Sequence, residues 1–317
     1  MAPPKSPRKG SLQFWPRKRV SKFLPSVNWK GISSGKNIKG FIGYKAGMAS
    51  VEVKDLTPNS MTKDKRIIIP STIIECPPMK IFSIRFYKNG KVAKDVLAEH
   101  VDKELKRIVK LPKQGKNPAE NLNSGGYDDV TVIAYSQAKK TKIKKTPDLT
   151  EIGLTGTTED KLNFIKSHLN KEISINDVFS QGELVDVRGL TKGKGFAGPV
   201  KRFGITLRFH KSEKGVRKVG SIGPWHPARV TFHVPMAGQL GMFTRVHYNQ
   251  KILQMVKAED SENKLKNIKN YGETNTDYII VYGSVQGPAK RQILLTSSLR
   301  PSKMQKKKIF EFVEVKR

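Results

Sequence analysis

The feature that most constrains this chain is the stretch from Val187 to Lys257, which carries fourteen Lys and Arg residues and a single acid, Glu213. Glycine and aromatic residues are crowded into the same stretch, as in VRGLTKGKGFAGPVKRFG and GVRKVGSIGPWHPARV. Like charges at short range repel one another, and the carboxylates that would neutralise them are missing. Lysine and arginine bind phosphates, glycine lets backbone approach closely, and aromatic rings stack on unpaired bases. The stretch therefore predicts nucleic-acid binding.

The composition of the whole chain agrees with this prediction. The net charge is +33 over 317 residues, and the sequence pI is near 10.1. A hydrophobic content of 37% is enough for a packed core. Cys76 is the single cysteine, which excludes a disulfide framework and a cysteine-based zinc site and predicts a reducing, intracellular compartment. We expect neither a membrane span nor a signal peptide, because no apolar run approaches the ~18 residues that a span needs.

The distribution of charge predicts the domain boundaries. The first 50 residues hold eleven Lys and Arg and no acid, and we expect the part up to about residue 35 to lack fixed structure when free. Residues 95–180, by contrast, hold thirteen acids against fourteen basic residues, as in an ordinary folded module. The predicted organisation is a basic N-terminal extension over 1–35, a split β-domain over 36–94 and 181–297 with a central basic loop at about 190–250, an insertion over 95–180, and a C-terminal tail over 298–317.

Residue patterns predict a mainly β protein with an α/β insertion. We predict a hairpin over Gly40–Lys54 that turns near Ala46-Gly47, a tight turn at Asn89-Gly90, and helices over Val92–Val109 and Thr158–Leu169. Many short strands separated by Gly and Pro favour an antiparallel barrel over a doubly wound sheet. The predicted strands are Arg66–Glu75, Lys80–Tyr87, Val130–Tyr135, Glu183–Val187, Val230–Val234, Lys251–Lys257, Tyr278–Tyr282 and Arg291–Thr296.

A nucleotide-dependent enzyme is the first alternative, and it rests on the GxGxxG spacing of GKGFAG. A dinucleotide site needs a helix directly after this loop, and Pro199 and Gly204 interrupt one. The acid expected about 20 residues later is replaced by the basic stretch Lys214–Lys218. No HExxH pair is present among the six histidines. We predict no catalytic residue, no metal and no cofactor, and we interpret the glycine-lysine loop as backbone laid against phosphates.

Trp225 lies in GSIGPWHPARV, where Gly223, Pro224 and Pro227 disfavour a regular strand or helix. A tryptophan lies in the protein core about as often as it lies elsewhere, and a core position for Trp225 stays open on sequence alone. A position at the tip of an extended loop favours an indole that stacks in an RNA-lined cavity.

Several motifs, in their order along the chain, resemble the universal large-subunit ribosomal protein L three family in its archaeal form. They are PRKGSLQFWPRKR, GFIGYKAGM, VDVRGLTKGKGFAGPVKRFG, RKVGSIGPWHPARV, AGQLGMFTRVHYNQKIL and GSVQGPAKR. The resemblance implies a six-stranded β-barrel of the translation-protein type, split by the insertion, with N-terminal and central extensions that penetrate ribosomal RNA. It also implies a role in early subunit assembly and a loop that reaches toward the peptidyl transferase centre and the path of tRNA accommodation.

Charge and resemblance together predict the binding residues. The predicted tip of the loop is Gly223, Pro224, Trp225 and His226. The predicted ribosomal RNA contacts are Arg17, Lys18, Arg19, Lys192, Lys194, Lys201, Arg202, Arg217, Lys218, Arg229, Arg245, Lys290 and Arg291. The expected partners are large-subunit ribosomal RNA and neighbouring ribosomal proteins, without a membrane or a small-molecule substrate, in a cytoplasmic, ribosome-bound protein. A second alternative is a general polyanion-binding RNA chaperone or DNA-compacting protein.

Overall fold

The computed structural model describes residues 9–112, 126–257 and 264–316, and these residues are mainly β. The described residues form two compact units, one of residues up to Phe23 with Leu190–Thr244, and one of Leu24–Gly189 with residues from Arg245 onward. The strands are β1 (Gly40–Asp55), β2 (Arg66–Glu75), β3 (Met79–Lys88), β4 (Lys91–Leu97), β5 (Asp129–Ser136), β6 (Leu149–Gly153), β7 (Leu184–Leu190), β8 (Phe196–Ala197), β9 (Gly238–Gln239), β10 (Thr244–Val256), β11 (Tyr278–Tyr282), β12 (Gln292–Ser297) and β13 (Phe310–Lys316). The helices are α1 (Thr158–His168), α2 (Ile175–Val178), α3 (Pro199–Phe203) and α4 (Lys303–Lys307), with 3-10 turns at Trp29–Gly31, Lys103–Arg107 and Ala138–Thr141.

The largest sheet pairs its strands in the order β12-β7-β10-β11-β2-β1-β13, and β1 pairs with β12 as well. β-Branched residues dominate the paired segments, as in RIIIPSTIIE of β2, because such side chains pack well on a pleated surface. The inward residues Phe41, Ile279 and Leu294 are fully buried. The pairings confirm the strands predicted at β2, β7, β10, β11 and β12.

The predicted hairpin over Gly40–Lys54 is wrong, since β1 is one continuous strand of 16 residues. Its pairing register with β2 shifts between Lys45 and Gly47, which places Ala46-Gly47 in a β-bulge. A bulge bends and twists a strand without reversing it, and glycine is frequent at both bulges and turns. The same local composition therefore supported the wrong structure.

A second sheet has four strands in the order β4-β3-β5-β6. The predicted domain boundary at residue 94 falls inside β4, and β3 belongs to this sheet. The predicted helix over Val92–Val109 is also wrong, because Asn89 (φ 51°) and Gly90 (φ 73°) form the tight turn that pairs β4 with β3. The first part of this segment lies in β4, whereas Leu105 lies in the 3-10 turn Lys103–Arg107 and is buried with Phe82 in a separate small cluster.

Helix α1 covers one face of the four-stranded sheet and confirms the predicted helix. It begins with a capping box in which Thr157 Oγ1 accepts the Asp160 backbone N–H and Asp160 accepts the Thr157 N–H. The helix begins at Thr158, as predicted, and Thr157 is its N-cap. Leu162 and Ile165 are buried in the main core, which fixes this helix on the sheet.

Both predicted terminal segments contain packed or paired residues. Residues 1–8 lie outside the described residues, but Leu24 and Ile32 are 8% and 1% exposed, and Trp29 packs close to Gly153. Packing thus begins before residue 35, and the end of the N-terminal extension at that residue stays a prediction. Within the predicted tail over 298–317, β13 pairs with residues 50–55 of β1, because FEFVEVK alternates apolar and charged side chains. No helix in the described ranges is long and apolar enough to cross a bilayer.

Candidate ribosomal RNA interface

Residues 9–23 and Leu190–Thr244 form what we name the cationic unit. It holds fifteen Lys and Arg residues and one acid, Glu213. A two-stranded ribbon, β8 with β9, lies at its centre, and Lys194 N donates to Leu240 O at 2.9 Å. Gly241 has φ +77°, and a Cβ there would lie 2.0 Å from Lys192 O. Glycine is required at this position because no side chain fits between the two segments.

The GKGFAG stretch is thereby one side of a tight ribbon and not the start of a long helix. The helix that follows, α3, has five residues with Pro199 at its first position. It ends at Gly204, which takes the left-handed conformation with φ 70°. This geometry differs from a dinucleotide-binding loop, in which a long helix follows the glycines.

Two arginines join the N-terminal segment to the central segment. Arg17 Nη1 donates to Arg202 O at 3.2 Å, and Arg202 Nη2 donates to Arg17 O at 3.1 Å. The Arg17 guanidinium lies 4.2 Å from the centre of the Phe203 ring, and Trp15 stacks on Phe203 at 5.9 Å. Cations over aromatic rings are attracted by the ring quadrupole. The reciprocal pair therefore fixes one segment on the other inside the cationic unit.

Arg202 also holds the ribbon. Its Nε donates to Gln239 O at 3.0 Å and its Nη1 to Met236 O at 2.9 Å, and burial lowers its pKa. The guanidinium groups of Arg17 and Arg202, predicted as phosphate contacts, thus bind backbone carbonyls in the structure. Their first task is to position the chain.

The aromatic cluster around Trp15 was not predicted as a site. Phe232 and His233 meet the Trp15 ring edge-on at 5.8 and 5.5 Å. The strand predicted over Val230–Val234 is absent, and residues 221–233 are all exposed. One indication of this cluster is present in the sequence, which is that an arginine lies close to each of two aromatic residues. Arg17 follows Trp15 by two residues, and Arg202 directly precedes Phe203.

The remaining predicted cations of this unit point outward. Their side chains are exposed, and Glu213 is the one acid within these two segments. Exposed ammonium and guanidinium groups without carboxylate neighbours attract a polyanion. These residues are Lys18, Arg19, Lys192, Lys194, Lys201, Arg217, Lys218 and Arg229.

Trp225 lies in a long segment without helix or strand that runs from Gly204 to Ala237. Its side chain is 87% exposed, so it is not a core residue in the structure. Pro224 and His226 are exposed beside it, and Gly223 has φ +141°. A large apolar ring held in water is unfavourable unless it meets a partner.

The other unit contains three of the predicted contacts, which are Arg245, Lys290 and Arg291. The basic block from Val187 to Lys257 is therefore divided between the two units. The buried Lys45 donates from Nζ to Val285 O at 2.5 Å and to Gly287 O at 3.2 Å, which shapes the loop before β12. Lys290 on this loop is exposed and has φ 66°. Arg245 and Arg291 are half-buried, and burial lowers the pKa of both.

Taken together, a β-rich body and an acid-poor unit with exposed cations and an exposed indole are the properties of a nucleic-acid-binding protein. The described residues contain no cluster of three or more side chains that could hold a metal ion.

Comparison with known proteins gives the family. The family model of Ribosomal protein L3 matches residues 1–316. The large ribosomal subunit protein uL3 of Methanocaldococcus jannaschii is 40% identical over 307 residues, which are 93% of this chain and 92% of that protein. The uL3 protein of Archaeoglobus fulgidus is 39% identical over 308 residues, 94% and 93% of the two chains. The chain belongs to the ribosomal protein L3 family. This family consists of structural ribosome components, which confirms the prediction that the chain is not an enzyme.

Proposed function

We propose that this chain is a cytoplasmic, ribosome-bound structural constituent of the large ribosomal subunit and binds its RNA. The observation that carries the proposal is the cationic unit, with fifteen basic residues, one acid and outward-facing lysines and arginines. The relatives that share about 40% identity with the chain are named as large-subunit proteins. A folded body with a defined loop favours one RNA site over the general chaperone alternative, which needs only charge.

We further propose that six strands close into a barrel of the translation-protein type. The support is the order of pairing from β12 through β7, β10, β11 and β2 to β1, together with the additional pairing of β1 with β12. Residues 40–44 of β1 pair with β12, and its later residues pair with β13. Closure of a sheet removes exposed edges, which would otherwise invite aggregation.

The exposed cations of the cationic unit would contact phosphates. Arg17 and Arg202 would hold its N-terminal segment on its central segment. Each neutralised phosphate contributes a slope of about −0.7 to −0.9 to log affinity against log salt. Arg245, Lys290 and Arg291, which belong to the other unit, would also contact phosphates. RNA shape and splayed bases, rather than groove reading, would provide specificity. The four-stranded sheet, with its balanced charge, would meet neighbouring ribosomal proteins.

The segment with Gly223, Pro224, Trp225 and His226 would reach toward the peptidyl transferase centre and the path of tRNA accommodation. An indole that is 87% exposed in the free chain gains a partner when it stacks in RNA. The chemistry of peptide transfer would remain with the RNA. The basic extensions would order on RNA early in assembly, when their counterions are released.

The test is sedimentation of a cell extract through a sucrose gradient at high salt, followed by immunoblotting for this chain. Retention with the large subunit is the expected result. Release to the top of the gradient would contradict the proposal and favour transient polyanion binding.

A second test replaces Trp225 with Ala and, as a matched control, with Phe. Trp225→Ala is expected to enter subunits normally, because an exposed side chain contributes little to folding. It should slow tRNA accommodation in a rapid-kinetics assay, whereas Trp225→Phe should retain most of the rate. Normal accommodation in Trp225→Ala subunits would remove the loop from this role.

A further inference from the structure

A cavity of about 640 Å³ lies in the unit that contains the large sheet, between β10, the end of β11 and the start of α4. This volume is in the range of ligand pockets in proteins. No carboxylate is among the described residues that line it. The lining residues include His247, Tyr248, Asn249, Gln250, Tyr282 and Gly283.

Gln250 supplies a buried polar group to this cavity. Its side chain is 7% exposed, and no donor among the described residues reaches its Oε1. Its Nε2 makes one long hydrogen bond, 3.4 Å to Tyr248 O. A Cβ on Gly283, which also lines the cavity, would lie 3.2 Å from Oε1, so only glycine backbone packs against this side of the amide. A buried acceptor without a donor is costly, which favours a ligand that donates a hydrogen bond.

Two tyrosines line the same cavity as Gln250. Tyr248 is 51% exposed, and Tyr282 is half-buried with Lys308 Nζ 5.7 Å from its ring centre. His247 Nδ1 bonds to Ser284 O at 2.7 Å. Because a carbonyl oxygen only accepts, Nδ1 carries the proton and Nε2 is available to a ligand. Rings, an amide and a nearby ammonium are the groups that proteins use to bind single unstacked bases.

The cavity wall is fixed before any ligand enters. Asn249 has φ 56°, its N–H donates to Asp186 Oδ1 at 2.9 Å, and its Oδ1 accepts Ser298 Oγ at 2.6 Å. On the other side, Lys251 Nζ donates to Gln305 O at 3.1 Å and thereby holds the last turn of α4. A preformed site loses little conformational entropy on binding.

We propose that this cavity receives one splayed base of RNA, stacked on Tyr248 and hydrogen-bonded through a ring or amino N–H to Gln250 Oε1. The inference rests on the proposed function and deepens it, since it assigns base recognition to the β-body in addition to phosphate contacts in the cationic unit. The lining favours RNA over an acidic or neutral peptide, because it combines stacking faces with a carboxylate-free wall and the adjacent Lys308.

The experiment irradiates purified large subunits that contain the full chain with ultraviolet light and maps nucleotide adducts by mass spectrometry. Trypsin cuts after Arg245 and Lys251, so VHYNQK, residues 246–251, is released as one peptide that carries most of the site. Immunoblotting first establishes that the subunits contain the chain, which separates failure of the proposed function from failure of this site. The variants are Tyr248→Ala, Gln250→Leu and the matched control Tyr248→Phe, each checked by thermal unfolding.

We expect a nucleotide adduct on residues 246–251 in the original chain and in Tyr248→Phe. Tyr248→Ala and Gln250→Leu should each lower the yield about tenfold, the size expected for loss of one stacked base. Gln250→Leu keeps the side-chain volume, so it tests the amide even if Tyr248→Ala does not fold. The proposal is overturned if adducts form only on peptides of the cationic unit. It is equally overturned if residues 246–251 cross-link to a protein, or if a subunit structure shows only water in the cavity.

Discussion

The four-stranded sheet and the cationic unit hold their basic residues in opposite ways. In and around the sheet, lysines and arginines pair with carboxylates, as Arg85 does with Asp95 at 3.0 Å and with Glu151 at 3.1 Å. In the cationic unit, Arg17 and Arg202 donate to backbone carbonyls instead. Carbonyls orient a guanidinium but do not neutralise it. Carboxylates of the chain therefore neutralise the cations in and around the four-stranded sheet. The cations of the cationic unit are neutralised only when a polyanion binds.

The difference also separates two uses of arginine within one unit. Arg202 is half-buried and has three backbone partners, whereas its neighbour Lys201 is exposed. Sequence presents both as equivalent members of a basic cluster. Structure divides them into a residue that shapes the interface and one that faces the proposed RNA.

The largest effect is expected for Gly241→Ala. The new Cβ would lie 2.0 Å from Lys192 O, at φ +77°, so the ribbon must open. We expect about 3 kcal/mol of local destabilisation, read as faster hydrogen exchange and proteolysis in residues 190–244. Gly220→Ala is the control, because a Cβ there meets nothing within 4 Å. Equal behaviour of the two variants would contradict the close approach.

Arg202→Ala should be next, since it removes hydrogen bonds to the carbonyls of Arg17, Met236 and Gln239. We expect a loss of about 2 kcal/mol in the cationic unit, measured by segment-resolved hydrogen exchange. Lys201→Ala, at an exposed position, should change exchange little. If Lys201→Ala proves as disruptive, Arg202 has no special positioning role.

Asp55 tests the part of the chain that contains the carboxylates. Burial alone would raise its pKa, but hydrogen bonds from Thr57 N, Ser60 Oγ and Thr62 Oγ1 hold the pKa well below its ordinary value. A lowered folded-state pKa contributes stability above about pH 4, and this contribution is lost as the pH falls through the folded-state pKa.

Asp55→Asn should therefore lower the free energy of unfolding by about 1–2 kcal/mol at neutral pH. It should also weaken the fall of this free energy as the pH is lowered. Chemical denaturation at several pH values measures both effects. Hydrogen exchange in the cationic unit should not follow this titration, because Glu213 is its one acid. An unchanged fall of the free energy of unfolding at low pH in the variant would contradict the assignment.

The smallest effect is expected for Arg85→Ala. Its ion pairs are partly exposed, so their loss should cost about 0.5–1 kcal/mol at low salt. The cost should shrink toward zero in 1 M salt, where such pairs are screened. The loss in Arg202→Ala should persist in salt, since its partners are carbonyls. Denaturation of the two variants at several salt concentrations measures both costs. If both fell equally with salt, the partners of Arg85 and Arg202 would not differ in the way described.

Sequence predicted the strands with strong β-branched runs, such as β2 and β11, because their composition and length allow few alternatives. It predicted the exposure of Trp225 from the surrounding glycine and proline. It failed at Ala46-Gly47 and at Val92–Val109, where a bulge and a hairpin depend on which distant strand pairs with the segment. The roles of Arg17 and Arg202 were also out of reach, since they depend on two segments separated by 185 residues.

Hydrogen exchange of the chain, free and inside purified large subunits, tests whether the cationic unit needs RNA for its full protection while the four-stranded sheet does not. We predict that exchange in residues 190–244 slows by roughly tenfold or more in the subunit, because RNA adds protection to that which the ribbon supplies in the free chain. Exchange in β3, β5 and α1 should change little, because the cations in and around that sheet are already paired with carboxylates of the chain. An equal gain of protection in both regions, or no gain in residues 190–244, would contradict this dependence on RNA.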